Sequence, residues 1–472
     1  MDTFLQIGID RASRASLPEQ IRNGIGQAIR ERRLQAGARL PSWGDLAAQL
    51  GVARGTVREA YQRLADDQLV VAAGSAGTFV SEQPPAGPKV DKGPEQTPLS
   101  DMFPDFSTAP SVFQGGVPAL DAFPYKLWSS IMLRAGRVAA AAPTSYPDPR
   151  GEPGLRHEIA AYLAVARGFT CAPSQIIVTN GYAGALGLAI HVLGLRGQSV
   201  WMEDPGFPLT SRALEMAQMK PSAVRVDANG LDVSHGIQVV PDAALAVVTA
   251  GQQAPLGVTL SLARRRALLA WAERSGAWII EDDYLSELQL RGRAAPALAS
   301  YDRTGRVIYA GSFSKTITPA LRLGFLVVPP KEAARFGEVA GCLAPAPASG
   351  VQQAVAEFMR KGHLLRHLRR MKRLYRARQD LLMTMLPDDV SPAIGNPRAT
   401  GLAVLLPLPD GTRDVEIAMQ ALQFGLAPVP LSPWHMAPGP FRAGLLLYAT
   451  NISEKRLGAD CRRINDLIAR FG

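Results

Sequence analysis

The sequence predicts a multidomain α/β protein: a small head of helices and a β-hairpin, then a large mostly parallel α/β sheet lobe followed by a smaller α+β lobe. Three observations carry this. Residues 17–82 alternate helical patterns with short β runs, residues 83–104 hold six prolines and little apolar periodicity, and from Asp105 onward β runs alternate with helices. The expected division is therefore 1–82, a linker over 83–104, and 105–472 with its small lobe from about residue 385. A chain of 472 residues is also longer than one ordinary domain.

Composition narrows the class. The 47% hydrophobic share fits a globular protein, and no apolar run approaches the ~18–20 residues that span a bilayer, so no membrane partner is expected. The N-terminus, M-D-T-F-L-Q-I-G-I-D-R, has early acids and no long apolar stretch, unlike a signal peptide. Cys171, Cys342 and Cys461 are sparse and form no C-x-x-C, which argues against a disulfide framework or a cysteine zinc site and fits a reducing cytoplasm.

In the head, L-P-E-Q-I-R-N-G-I-G-Q-A-I-R (17–30) places Ile21, Ile25, Ala28 and Ile29 on one helical face. Ser42 reads as the N-cap of a second helix with Asp45 at its third position, and Gly51 ends it. A third helix, from about Arg54 to Ala65, buries Val57, Ala60, Tyr61 and Leu64 and turns Arg54, Thr56 and Arg58 outward in its first turns. There a recognition helix offers side chains to major-groove base edges, and arginine suits guanine. L-V-V-A-A-G-S-A-G-T-F-V (69–80) reads as a hairpin whose glycines, Gly77 among them, make the turn. Taken together the ordered set resembles the winged helix-turn-helix of GntR-superfamily regulators, which implies binding to double-stranded DNA. Where that family usually has an arginine, this chain has Gly44 after Trp43.

In the large domain the candidate strands are 176–179, 199–202, 245–249, 277–281, 306–310 and 324–328. The small lobe adds 401–406 and 443–448. Lys315, in G-S-F-S-K-T-I-T-P-A-L-R-L-G (311–324), follows the strand R-V-I-Y-A at the sheet edge where α/β ligand sites form. A lysine there can bond to an aldehyde cofactor. Pyridoxal 5'-phosphate (PLP) further needs an acid at its ring nitrogen, a partner for its phenolic oxygen and donors for its phosphate. Asp282 and Tyr284, two apart on extended chain in I-I-E-D-D-Y, can face one side. Ser312, Ser314 and Arg322 supply phosphate donors, and Gly181 and Tyr182 open a helix whose N-terminus suits an anion. Singly each is weak, and E-D-D alone reads as a solvated cluster; their joint order is the signal. Residues 360–378 hold nine Lys and Arg and no acid, on a helix with Leu364, Leu365, Leu368, Met371 and Leu374 as the expected apolar stripe.

Y-P-D-P-R-G (146–151), W-M-E-D-P-G-F (201–207), I-I-E-D-D-Y and the Lys315 segment look like MocR-type regulators, GntR-superfamily proteins with a fold-type-I aminotransferase-like domain. The resemblance implies that Lys315 holds PLP as an internal aldimine, that Asp282 pairs with its pyridinium, and that Tyr284 meets its phenolic oxygen. It assigns phosphate to Ser312 and Arg322, the ring face to Phe207 where a tyrosine is common, and the neighbouring subunit's phosphate to Tyr146. Arg442 would bind an effector carboxylate. The family's H-Q-F-P-T-G is here Q-Q-A-P-L-G (252–257), which changes polar contacts near the ring. The expectation is a homodimeric regulator that senses an amine, an amino acid or PLP itself. The alternatives are an active aminotransferase with an accessory head, or a DNA-binding protein whose aminotransferase-like part is only a scaffold.

Overall fold

The computed structural model describes residues 7–11, 13, 15–82, 111–141, 145–386, 398–436 and 443–471. The expected linker (83–104) and Arg442 lie outside them. The chain separates into two compact units, 1–107 and 108–472.

The first unit has three helices, α1 (Leu17–Arg30), α2 (Trp43–Leu50) and α3 (Arg54–Asp66), and a hairpin of β1 (Val70–Ala72) and β2 (Thr78–Val80). Its core takes Ile21, Ile25, Ala28 and Ile29 from α1, Leu46 and Ala47 from α2, and Val57, Ala60, Tyr61 and Leu64 from α3. These are the positions that a 3.6-residue period puts on one face. Ser42 Oγ accepts from the Asp45 amide at 3.2 Å, capping α2, and Gly51 at φ +62° turns the chain toward α3.

In the second unit the helices are α4 (Tyr125–Ala140), α5 (Pro153–Ala166), α6 (Gly181–Leu193), α7 (Pro208–Met216), α8 (Val233–Val239), α9 (Leu262–Ser275), α10 (Ala333–Leu343), α11 (Ser349–Arg360), α12 (His363–Met385), α13 (Asp414–Ala421) and α14 (Leu457–Phe471). The large sheet comprises β3 (Ile176–Thr179), β4 (Ser199–Asp204), β5 (Lys220–Asp227), β6 (Gly230–Leu231), β7 (Leu245–Val248), β8 (Trp278–Asp283), β9 (Val307–Ser312) and β10 (Gly324–Val327). Its order is β3-β10-β9-β8-β7-β4-β5-β6. The run from β9 to β5 is parallel, while β10 is antiparallel to both neighbours. Inner strands such as β10 and β7 are buried throughout, as expected for a sheet covered by helices on both faces. The small lobe carries β11 (Arg398–Thr400), β12 (Ala403–Pro407), β13 (Val429–Pro430) and β14 (Gly444–Tyr448) in an antiparallel sheet.

Two expectations need correction. The start of the second unit belongs to the small lobe: Val112 bridges Leu426, Phe113 bridges Tyr448, and the Phe113 ring is fully buried in the small-lobe core. On α12, Leu365 is 43% exposed, and the buried face runs instead through Leu364, His367, Leu368, Met371 and Tyr375. Leu365 lies one helical step off that face.

Candidate cofactor site and nucleic-acid interface

Strands β8 and β9 end side by side, Asp282 opposite Ala310 and Asp283 opposite Gly311. That brings Asp282 to the same edge as Ser312 and the turn that carries Lys315. Alternation along β8 divides its three acids. Glu281 accepts from the amides of Leu298 and Ala299 at 2.6 and 2.9 Å, and Asp283 accepts from Arg167 Nε at 2.5 Å and Tyr309 OH at 2.7 Å. Both are buried structural acids, and Asp282, between them, faces the site. All three acids are buried, with Arg167 and two backbone amides compensating the charge of Asp283 and Glu281.

Asp282 is held well above the usual carboxylate range, first by burial and then by the charges of Asp283 and Glu203, with Lys315 opposing. Burial pulls Lys315 down to about 8, against the pull of Asp282. Lys315 Nζ donates to the Gly116 carbonyl at 3.1 Å. Gly116 has φ +82°, and an added Cβ would sit 2.8 Å from that ammonium, so this loop must be glycine for the lysine to reach its acceptor. Nothing around Q-G-G-V-P ties Gly116 to Lys315 in the sequence beyond a loop signal.

The anion end of the site is built from three pieces. Helix α6 begins at Gly181 (φ +68°) and offers its free N–H groups. The Arg322 guanidinium carbon stands 4.0 Å from where a Cβ on Gly181 would lie. Ser312 Oγ donates to Ser314 Oγ at 3.0 Å and accepts from the Ser314 amide at 3.1 Å, which keeps both hydroxyls together. Tyr182 takes a different part from its neighbour: its hydroxyl pairs with Thr210 at 2.9 Å, and burial followed by the Asp282 charge raises its pKa well above the ordinary phenol value. Tyr284 is likewise raised by burial, Tyr448 and Asp282.

Farther out, the Phe207 ring lies 5.7 Å from that of Trp434 at 45°, and Tyr146 is wholly exposed. Glu203, one turn of chain from Phe207, is fully buried; burial raises it to about 7, while Thr249 and Gln253 pull the other way. Gln253, from Q-Q-A-P-L-G, donates to the carbonyls of Pro205 and Ala254, each at 2.7 Å, and accepts from the Leu256 amide. Its amide thus braces the loop rather than facing a ligand. Glu203 and Gln253 are separated by 50 residues and carry no motif that pairs them.

The donor set fits PLP. A buried lysine of lowered pKa faces a carboxylate crowded by other acids, which a ring cation would relieve, and a helix N-terminus, an arginine and two hydroxyls gather at one end. No group of His, Cys, Asp and Glu suited to a metal ion occurs among the described residues. In the head, Ser42, Arg54 and Arg58 are exposed and Thr56 is half-buried. Gly77 (φ +110°) lies against Arg39, whose guanidinium Nε would be 3.0 Å from an added Cβ. Arg39 also bridges Phe79, placing a cation on the hairpin that pattern reading missed.

A winged head followed by a domain with an aminotransferase-type lysine site defines the class: a DNA-binding protein built on a PLP-enzyme fold. Residues 17–80 match the gntR family of bacterial regulatory proteins, and residues 128–442 match aminotransferase class I and II. The probable rhizopine catabolism regulatory protein MocR of Rhizobium meliloti is 34% identical over 80% of this chain and 78% of its own. The pyridoxine biosynthesis regulator PdxR of Corynebacterium glutamicum is 32% identical over 81% of this chain and 82% of its own. Among solved structures, α-aminoadipate aminotransferase LysN of Thermus thermophilus superposes with a TM-score of 0.68 at 24% identity, covering 76% of this chain and 92% of that one. The chain belongs to the MocR-type regulators, GntR heads joined to an aminotransferase class I/II domain. No helix among the described residues is long and apolar enough to cross a membrane.

Proposed function

We propose that the protein is a homodimeric cytoplasmic regulator of transcription that holds PLP at Lys315 and changes its hold on DNA when an amine, an amino acid or PLP itself arrives. The observation that carries this reading is one chain with two intact sites: a helix start exposing Arg54 and Arg58, and a lysine–acid pair beside an anion cradle. When bound, PLP supplies an aldehyde carbon at which one amine replaces another, and a ring that withdraws electrons from it. Lys315 is the resident amine, and a pKa near 8 leaves more of it unprotonated near neutral pH than an ordinary lysine. Displaced, it has the Gly116 carbonyl as a resting partner for its proton. Asp282 would hold the ring-nitrogen charge, Tyr284 the phenolic oxygen and Phe207 one ring face. Ser312, Ser314, Arg322 and the N–H groups at Gly181 and Tyr182 would bind the phosphate. Arg442 is assigned to an effector carboxylate on the family likeness.

Pairing supports this reading from two sides. Tyr146, with no cover from its own chain, suits a contact with a second copy, and paired half-sites on DNA call for paired heads. Ser42, Arg54, Thr56, Arg58 and Gly77 would contact the duplex. A second reading, turnover as an aminotransferase, is favoured by the Lys315 pKa, which suits a proton-transfer base. Lys315→Ala tests the first: it should keep basal duplex binding and lose the response to PLP and amines. An amine response unchanged in that variant refutes the mechanism, and amino-group transfer by the wild type measures the second reading separately.

A further inference from the structure

We propose that α12 is a second DNA-contacting surface, an arginine stripe that holds duplex phosphates; this rests on the DNA-binding reading above. The charge of the chain is placed unevenly. Residues 1–85 carry ten Arg and Lys against nine Asp and Glu, and the chain outside both this stretch and 360–378 balances at 32 of each. The nine cations of 360–378 therefore supply nine of the ten net positive charges. Affinity for a duplex comes in large part from counterions released as cations contact phosphates. In the head, nine acids offset the ten cations available for that purpose.

The fold turns the cations of α12 to one side. With Leu364, His367, Leu368, Met371 and Tyr375 buried, Arg366, Arg369, Arg370 and Arg373 stand exposed on the opposite face at the spacing i, i+3, i+4, i+7. Nearby acids are engaged elsewhere: Glu357 pairs with Arg134 and Lys361, and Asp380 with Arg291 and Arg376. Among the described residues no acid forms an ion pair with Arg369, Arg370 or Arg373. Like charges at these spacings weaken a helix, and a face serving solubility alone would mix signs. A row of guanidinium groups without ion-pair partners, Arg369, Arg370 and Arg373, is matched by a regular polyanion. The duplex offers one phosphate every ~3.4 Å along each strand, and guanidinium binds phosphate in a bidentate fork.

The test uses the full-length protein and a duplex from upstream of its own gene, long enough to extend beyond the paired half-sites. Arg369→Gln/Arg370→Gln/Arg373→Gln changes only exposed positions and keeps good helix formers. Binding is followed by fluorescence anisotropy between about 50 and 200 mM salt. Each lost phosphate contact lowers the slope of log affinity against log salt by about 0.9, and the triple variant loses three per protomer, six in a dimer, so over this fourfold range the wild-type affinity should fall roughly a thousandfold or more beyond that of the variant. An unchanged slope overturns the inference, and leaves the regulator reading standing if wild-type binding is sequence-selective. Wild-type binding without selectivity for this duplex over a scrambled one overturns both. Arg370→Gln alone, expected to lower the slope by about 1.8 in a dimer, gives the same decision if the triple variant does not fold.

Discussion

Replacing Gly116 with alanine perturbs the candidate site beside its lysine. The new Cβ would lie 2.8 Å from Lys315 Nζ, on a backbone at φ +82°, while the carbonyl of the same residue accepts that lysine's hydrogen bond at 3.1 Å. Two costs arise, and they separate by assay. The left-handed backbone costs a non-glycine residue about 1–2 kcal/mol whether or not a ligand is bound, so it appears in denaturant unfolding of the cofactor-free protein. Crowding of Nζ appears in PLP binding: relieving it breaks a charge-assisted bond worth about 1.5–3 kcal/mol that the free lysine makes and a lysine bonded to PLP gives up. The expected result is a PLP Kd at least about tenfold tighter, read by quenching of tryptophan fluorescence. Gly187→Ala is the control: it lies in α6 with nothing within 4 Å of the added Cβ, and should stabilise by up to about 1 kcal/mol. A Gly116→Ala protein with wild-type stability and wild-type PLP affinity would refute the reasoning.

Three further outcomes are expected. Asp282→Asn removes the buried negative charge meant for the ring nitrogen, and PLP affinity should fall by about 3 kcal/mol, roughly a hundredfold; an unchanged Kd would release Asp282 from that role. Lys315 titrates near 8 in the folded protein against 10.5 ordinarily, so the unfolded chain binds the extra proton between those values and stability rises with pH there. Cofactor-free Lys315→Met should accordingly be more stable than wild type at neutral pH, with the gap closing as pH rises toward 10.5; a gap independent of pH contradicts the burial argument. Arg58→Ala should reduce discrimination between the upstream duplex and a scrambled one by about 1–3 kcal/mol, and equal loss on both would make Arg58 a phosphate contact instead.

Local pattern was the readable part of this protein. The buried face of α3 follows from the spacing of Val57, Ala60, Tyr61 and Leu64, and β7 and β8 from short apolar runs that end in polar residues. Lys315 was visible because a strand, a glycine and hydroxyl residues frame it within one stretch. What stayed hidden depends on partners far away in the chain. Lys315 and Gly116 are 199 residues apart, and Asp283 and Arg167 are 116 apart. Periodicity has no access to such pairs, so the stretch I-I-E-D-D-Y by itself does not show that Arg167 compensates Asp283. Leu365 failed for a related reason: hydrophobicity suggested burial, but the tertiary partner of α12 covers a narrower arc of the helix.

The stretch around Phe113 also decides how the aminotransferase-type domain can be dissected. Within a few residues it fills the small-lobe core with Phe113, meets Lys315 through Gly116, accepts from Asn451 at the Val117 carbonyl and donates from the Ala119 amide to the Tyr375 hydroxyl oxygen. A fragment begun at Tyr125, the first residue of α4, would look complete by its helices and strands. It would nonetheless expose the hollow left by Phe113 and deprive the lysine of its acceptor. A head-free protein that still reports on the cofactor must therefore keep every residue from Ser111 onward, and proteolytic trimming past that point should cost solubility and PLP capture together.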